Sequence, residues 1–190
     1  MDKATEGHMK ELLRCIKYVL DTKSRKLKYQ QSRQDKIEIT GICNSDYAGD
    51  LESRRSVTGY LVYVNGCPVA WRSRQQKVTS LSSCESEYYA ITEVATEMMY
   101  IKQIFDFLEI EVELPMTIKC DNQGAVFLAK NETSTHTKHV DVRYHFIREL
   151  VEQGVIRLEY INTESNTADA LTKNLPVDLY ERLLAPMFRD

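Results

Sequence analysis

Residues 36–73 read KIEITGICNSDYAGDLESRRSVTGYLVYVNGCPVAWRS, and their periodicity decides the fold. From Lys36 apolar and polar positions alternate: Ile37, Ile39, Gly41 and Cys43 interleave with Glu38, Thr40, Ile42 and Asn44. A period of two is that of a half-buried strand. The polar run 47–56 (YAGDLESRRS) is a connection, and Thr58–Val64 is a second strand. It runs into Asn65-Gly66, whose tolerance of positive φ makes it a strong hairpin signal. Pro68–Ser73 is then the third strand of an antiparallel meander.

Outside this stretch the period changes. On the N-terminal side, residues 8–21 place Leu12, Leu13, Ile16, Val19 and Leu20 on one helical stripe. A short run, Lys26–Tyr29, and a polar stretch, Gln30–Lys36, separate that helix from the meander. On the C-terminal side, Ser82 and Glu85 have capping-box spacing. They open a long helix with Ile91, Val94, Met98, Ile101, Phe105 and Leu108 directed inward. A fourth strand, Met116–Cys120, a short helix from Asn122 to Lys130, and a helix marked by Val140, Tyr144, Ile147 and Val151 follow. Strand five is Val155–Ile161, and a helix from about Ser165 to Asn174 is stopped by Pro176. Leu179–Phe188 is a short terminal helix. The order β-β-β-α-β-α-α-β-α predicts an α/β fold: a mixed five-stranded sheet, three antiparallel strands then parallel ones, flanked by helices. The expected division is a helical arm at 1–35, the main domain at 36–176 and a helical tail at 177–190.

Composition narrows the function classes. Of 190 residues 28% are charged and 43% hydrophobic, with a net charge of −3, which is a globular composition and does not announce a nucleic-acid binder. No window approaches the roughly 18 apolar residues that span a bilayer, so no membrane partner is expected. The five cysteines, Cys15, Cys43, Cys67, Cys84 and Cys120, form no C-x-x-C pair. Neither zinc nor a disulfide framework is therefore expected, and buried free thiols are.

Four positions carry the chemistry. Asn44 lies near the end of strand one, Glu87 in the first turn of the long helix, Asp121 at the end of strand four and Asp169 early in the last helix. Carboxylates are the usual ligands of a hard divalent cation, and strand ends beside helix starts are where open sheets gather ligand sites. Taken singly, Asp121 is also explained as a helix cap and Glu87 as a charge at a helix N-terminus. Jointly they point to a metal-dependent phosphodiester-cleaving site in which one ligand, Asn44, is an uncharged isostere of aspartate.

The chain resembles the ribonuclease H domain of Ty1/copia-type LTR retrotransposon polyproteins. The signals are GICNSDYAGD (41–50), RRSVTGY (54–60), AWRSRQQ (70–76), LSSCESEY (81–88), KCDNQGA (119–125), TKHVDVRYHFIRE (137–149) and ADALTK (168–173). The resemblance implies a ribonuclease H-like fold and hydrolysis of the RNA strand of an RNA·DNA hybrid during reverse transcription. It also implies the reverse transcriptase domain of the same polyprotein as partner, and a cytoplasmic virus-like particle as location. Glu87, Asp121 and Asp169 match the family's acidic positions, which hold two Mg²⁺ ions, with Mn²⁺ as substitute. The first aspartate of the family's D-x-D-[WY]-A-G is Asn44 here, and the second is retained as Asp46. The implied roles give Asp121 and Asp169 one metal each, make Glu87 a support near the leaving group, and put position 44 between both ions. An amide offers one neutral oxygen where a bridging ligand supplies two anionic ones, so impaired turnover is expected. Asp46 shares a strand face with Asn44 and is an alternative ligand, although it starts about 6–7 Å away along the strand.

Arg72, Arg74 and Lys77 follow the third strand, and Arg54 and Arg55 precede the second; either group suits phosphates or open solvent. Gln123, just beyond Asp121, is placed by the resemblance at the minor-groove edge of the hybrid, where shape and 2′-hydroxyls are read. His136, His139 and His145 have poor spacing for one zinc site and are expected on a helix surface. Trp71, Tyr88 and Tyr89 are expected in core or rim packing. The mobile histidine of cellular ribonucleases H has no counterpart between His145 and Asp169.

Overall fold

Five strands form one sheet: the alternating segment that begins near Ile37, the two strands joined at the Asn65-Gly66 turn, and two five-residue strands, MTIKC (116–120) and IRLEY (156–160). The computed structural model describes residues 4–30, 36–50, 52–130 and 138–189 (for 130, 138–141 and 189, the backbone alone). In chain order the elements are α1 (Glu6–Asp21), β1 (Lys26–Leu27), β2 (Ile39–Asp46), β3 (Val57–Val64), β4 (Cys67–Gln75), α2 (Ser83–Phe107), β5 (Met116–Cys120), α3 (Gln123–Lys130), α4 (Lys138–Glu152), β6 (Ile156–Tyr160), α5 (Val177–Leu184) and β7 (Phe188–Arg189). The sheet order is β4-β3-β2-β5-β6. β2 pairs antiparallel with β3 and β3 with β4, while β2–β5 and β5–β6 are parallel. The expected mixed sheet is therefore present. Its topological switch lies at β2, where the chain leaves β4 through α2 and re-enters on the far side as β5.

The core forms where β2 meets α2. Ile39 and Cys43 are buried with Ile91, Val94, Ala95 and Met98 of α2 and with Met116, Ile118 and Ile156. Each such side chain contributes on the order of 1.5–3 kcal/mol when fully buried. Between Ile39 and Cys43, Gly41 permits the close approach. A Cβ there would lie 2.6 Å from the Met98 sulfur and 2.7 Å from Val94 Cγ2. Odd positions of β2 thus face α2, and even positions face the other side. On that side Leu61 of β3 packs with Leu184 and Met187.

Several expectations need correction. The segment expected as a helix from Ser165 is a pair of 3-10 turns, Thr163–Ser165 and Thr167–Leu171. Asn162 and Asn166 each cap one of them, and such caps compete with a continuous helix. The capping box is half present: Ser82 accepts from Glu85 N–H, but the Glu85 carboxylate accepts from Leu81 N–H. Leu108 is 54% exposed rather than inward, whereas Trp71, also at 54%, takes the rim alternative of the two expected for it. β2 runs to Asp46, two residues beyond the alternating stretch. Ile37 forms only an isolated bridge to Val112.

At the termini, β1 pairs with β7, Arg25 bridges Glu181 at 2.8 Å, and the Tyr18 and Tyr180 hydroxyls lie 2.8 Å apart. No residue of α1 is buried. Among the described residues no helix is long and apolar enough to cross a membrane.

Candidate metal centre

Ligand positions in open α/β sheets lie beyond the carboxyl ends of strands at the switch point, and β2 and β5 end side by side there. Cys43 and Cys120 are direct partners in the parallel ladder. The residues that follow them, Asn44 to Asp46 and Asp121, therefore emerge together.

The two faces of β2 supply different parts of the site. Asn44, 1% exposed, lies on the face away from α2 and opposite Gly59 of β3. Gly59 makes room for the 167–171 turn: a Cβ there would lie 2.7 Å from Thr172 Cγ2, 2.8 Å from Leu171 Cβ and 2.9 Å from the Ala168 carbonyl. That turn is fixed by Asn166, wholly buried, whose amide donates to the Cys43 carbonyl at 3.1 Å while its oxygen accepts from Ala168 N–H. Asp169 is thereby held beneath the end of β2. The Asn44 amide donates to the Thr172 hydroxyl at 2.6 Å, and that hydroxyl donates to the Asp169 carbonyl at 3.2 Å.

On the α2 face, Glu87 is 5% exposed and accepts from Ser45 N–H at 3.0 Å. Gln76, 3% exposed, locks this arrangement. Its amide donates to Thr58 Oγ1 at 2.9 Å, Ser86 carbonyl at 3.0 Å and Ser45 Oγ at 3.3 Å, and its oxygen accepts from Ser80 at 3.1 Å. β2, β3 and the first turn of α2 are thus tied through one side chain.

Donor atoms of Glu87, Cys120 and Asp121 lie within 4.8 Å of one another. Burial, then the neighbouring Cys120 and Asp121, push the Glu87 carboxyl up to about 9, against the opposing Ser45 hydrogen bond and Lys173 charge. Asp169 is likewise raised, first by burial and also by Asp121 and Asp46, while Lys173 pulls it down. The Lys173 ammonium lies 3.0 Å from Asp169 Oδ1. A protein that collects carboxylates in this way disfavours their charged forms until a cation arrives. The set fits a hard divalent ion, and Lys173 supplies part of the neutralising charge from within the chain.

All four expected positions therefore lie around the ends of β2 and β5. Asp46 ends β2 on the Asn44 face, with its carboxylate folded against Gly49. Asp121 does not cap α3; Asn122 does, accepting from Ala125 N–H at 2.9 Å. Gln123 is exposed at the start of α3, beside Asp121. Arg72 and Arg74 lie on β4 and line a cleft of about 320 Å³ with Tyr89, Glu93 and Arg143. Arg74 bridges Glu93 at 2.7 Å, so it is partly engaged, whereas Lys77 is exposed beyond the strand. Tyr88 is buried against Tyr144, and Arg143 stacks 3.8 Å over the Tyr89 ring. His145 is exposed on α4, whereas His136 and the His139 side chain lie outside the described residues.

Sequence reasoning passed over Gln76, Asn166, Thr172 and Lys173. Lys173 carried a signal, since it stands four residues after Asp169. Asn166 did too, as a cap residue two positions before Ala168. Gln76 sits in a polar run with nothing to separate it from Gln75.

No family model matches the chain. It is 40% identical over 144 residues, 75% of its length, to a retrovirus-related Pol polyprotein from transposon TNT 1-94 of Nicotiana tabacum. Over 176 residues, 92% of its length, it is 33% identical to the Pol polyprotein of transposon RE1 from Arabidopsis thaliana. It spans 11% and 12% of those two relatives, respectively. Among solved structures, the N-terminal ribonuclease H domain of Rv2228c from Mycobacterium tuberculosis superposes with TM-score 0.53 at 12% identity, covering 78% of this chain and 97% of that one. LC11-RNase H1, solved in complex with an RNA/DNA hybrid, gives 0.50 at 13%, covering 71% and 94%.

Proposed function

The chain belongs with copia-type retrotransposon Pol polyproteins and has their ribonuclease H-like domain, and from that premise we propose that it is built to hydrolyse the RNA strand of an RNA·DNA hybrid. The observation that carries this reading is the gathering of Glu87, Asp121 and Asp169 around Asn44 at the switch point of the sheet. We assign the cation-binding positions to Asn44, Glu87, Asp121 and Asp169, with Asp46 near enough to influence Asp169. Two divalent cations, Mg²⁺ or in its place Mn²⁺, would supply there an activated water and charge neutralisation at the leaving oxygen.

The chain's own residues do the rest. Glu87, held by Ser45 N–H and kept in place by Gln76, presents its carboxylate from the α2 side. Asp169 presents from the opposite side on a turn anchored by Asn166. Arg72 on β4, Lys77 just beyond it and the exposed Gln123 next to Asp121 suit the backbone and minor groove of an A-like duplex. We place the domain beside a reverse transcriptase domain of the same polyprotein, in its cytoplasmic particle, with 1–35 as the arm and 177–190 as the tail.

Asn44 favours a second reading of the same site: a domain that grips hybrid and cuts it poorly. A loss of about 4 kcal/mol in barrier stabilisation corresponds to roughly a thousandfold in rate. Labelled hybrid incubated with Mg²⁺ or Mn²⁺ tests both readings. Asn44→Asp is expected to raise cleavage by two to three orders of magnitude, on the order of 3–4 kcal/mol. Hybrid bound at low salt with no cleavage by either protein would leave only the gripping role. Absence of both binding and cleavage would refute the assignment.

A further inference from the structure

The carboxylates of the centre do not stand alone. Cys120 closes β5 immediately before Asp121, and because the strand ends there the two side chains need not diverge to opposite faces. Cys120 Sγ lies 3.8 Å from Glu87 Oε2, and the donor atoms of Glu87, Cys120 and Asp121 fall within 4.8 Å of one another. Two further thiols surround this one. Cys43 is its direct neighbour across the β2–β5 ladder, and Cys84 stands one turn before Glu87 on α2. Three cysteines from three elements thus converge with two carboxylates, which no C-x-x-C spacing in the sequence announces.

We propose that Glu87, Cys120 and Asp121 form a site for a thiophilic divalent cation of the Zn²⁺ or Cd²⁺ class. A tetrahedral ion bound to sulfur at about 2.3 Å and to oxygen at about 2.0 Å holds those two donors roughly 3.5 Å apart. The observed 3.8 Å between Cys120 Sγ and Glu87 Oε2 is close to that separation. Mg²⁺ prefers an octahedron of oxygens and leaves a thiol aside. Softer cations take the thiolate instead. On binding, metal–sulfur and metal–oxygen bonds replace the S–H bond of Cys120 and the O–H bond of the Glu87 carboxyl, and both protons leave to solvent with no change of oxidation state. Three protein ligands leave the fourth position open, so the bound ion is a tight occupant of space that the oxygen-seeking cations also use. The ordinary alternative, a core thiol, accounts for the contact with Cys43 and for the Asn122 N–H that donates to Cys120 Sγ at 3.4 Å. The Cys120 S–H also donates to Glu87 Oε2, and a cation would take the place of that proton between the same two atoms.

The inference rests on where these donors lie and not on the nuclease reading. Metal-free protein, with the exposed Cys15 replaced by serine, is titrated with Cd²⁺ while the thiolate-to-cadmium charge-transfer absorbance in the near ultraviolet is followed. One Cd²⁺ per chain is expected, with the band abolished in Cys120→Ser and unchanged in Cys67→Ser. Asp121→Asn, at a more exposed position, keeps the thiol and is expected to weaken Cd²⁺ by about tenfold or more. A circular-dichroism spectrum confirms that each variant is folded. Absence of the band at stoichiometric Cd²⁺, or its survival in folded Cys120→Ser, would overturn the proposal, as would unchanged affinity in Asp121→Asn. Failure of Asn44→Asp to cleave hybrid would instead count against the nuclease reading alone.

Discussion

The lysine inside the acidic centre makes the sharpest test of how that centre is balanced. Lys173 Nζ is 3.0 Å from Asp169 Oδ1, with the aspartate side chain 7% exposed and the lysine side chain 36%. At an effective dielectric of about 20, opposite charges at that distance attract by about 5.5 kcal/mol before any solvent correction. The lysine is over a third exposed, so water screens much of this. Breaking a fully buried pair costs about 3–5 kcal/mol and an exposed one about 0–1. An intermediate loss of about 2 kcal/mol is expected for Lys173→Met, which keeps the apolar stem and removes the charge. In urea that is a drop in midpoint of roughly 1 M for an m-value near 2 kcal/mol/M.

The diagnostic feature is metal dependence. In EDTA the variant should show the full loss, because Asp169 stands buried without its counter-ion. In Mg²⁺ the loss should shrink, since the cation takes over the neutralisation and no ammonium has to be displaced. Apparent Mg²⁺ affinity, read from the rise in urea midpoint with metal concentration, should therefore increase, by about tenfold for each 1.4 kcal/mol of competition removed. Unchanged stability in EDTA, or weaker Mg²⁺ binding by the variant, would refute the view of Lys173 as a resident counter-ion.

Three further outcomes follow from the same geometry. Glu87 is raised in the folded state to about 9 from an ordinary value of 4.5, so the native protein binds the extra proton between those limits. Its contribution to stability is fully present below about pH 4.5 and lost as pH rises toward 9, with a slope of at most about 1.4 kcal/mol per pH unit. Urea midpoints in EDTA should fall over that window and flatten in Glu87→Gln; a rise with pH would contradict the sign. Gly59→Ala forces a Cβ against the Ala168 carbonyl and Leu171, and overpacking of this kind costs about 1–3 kcal/mol. Because the displaced turn carries Asp169, calorimetric Mg²⁺ affinity should fall with it, and unaltered affinity would show that the turn is not positioned by this contact. Gln76→Leu strands Thr58, Ser80 and the Ser86 carbonyl, a loss of about 2–3 kcal/mol. The melting temperature should drop by roughly 5–10 °C, and a neutral result would mean that Gln76 does not lock the start of α2.

How far the sequence could be read depended on the range of the interactions involved. The alternation over 36–44, the Asn65-Gly66 turn and the 3.6-residue stripe through Ile91, Val94 and Met98 are local patterns, and each marks a real element. Glu87, Asp121 and Asp169 were legible because of what lies next to them in sequence and because the motifs resemble a known family. The segment after Ser165 was misread because Asn162 and Asn166 draw the backbone into 3-10 turns, a choice decided by the Asn166 bond to Cys43, 123 residues away. Gln76 was illegible for the same reason: its partners lie 10, 18 and 31 residues away on other elements. Leu108 shows the complementary error. Its apolar character fitted a core position, but the end of α2 leaves it in solvent.

Asn44 gains a second meaning from its surroundings. Its amide is a donor to Thr172, and that same hydroxyl donates to the Asp169 backbone, so an uncharged residue at 44 completes a closed chain of hydrogen bonds from β2 to the turn. A carboxylate at 44 would offer no donor. Thr172 would then have to give its single proton either to that carboxylate or to the Asp169 carbonyl, leaving one acceptor unpaired. It would also add a buried negative charge beside Asp169, already raised by burial, by Asp121 and by Asp46. With asparagine, the metal-free centre is balanced from within: Lys173 supplies positive charge and Asn44 withholds a negative one. With aspartate the balance would pass to bound cations, and folding of the 167–171 turn would become coupled to them. In the function proposed above, the asparagine that would lower cleavage is therefore also the residue that balances the site without a cation.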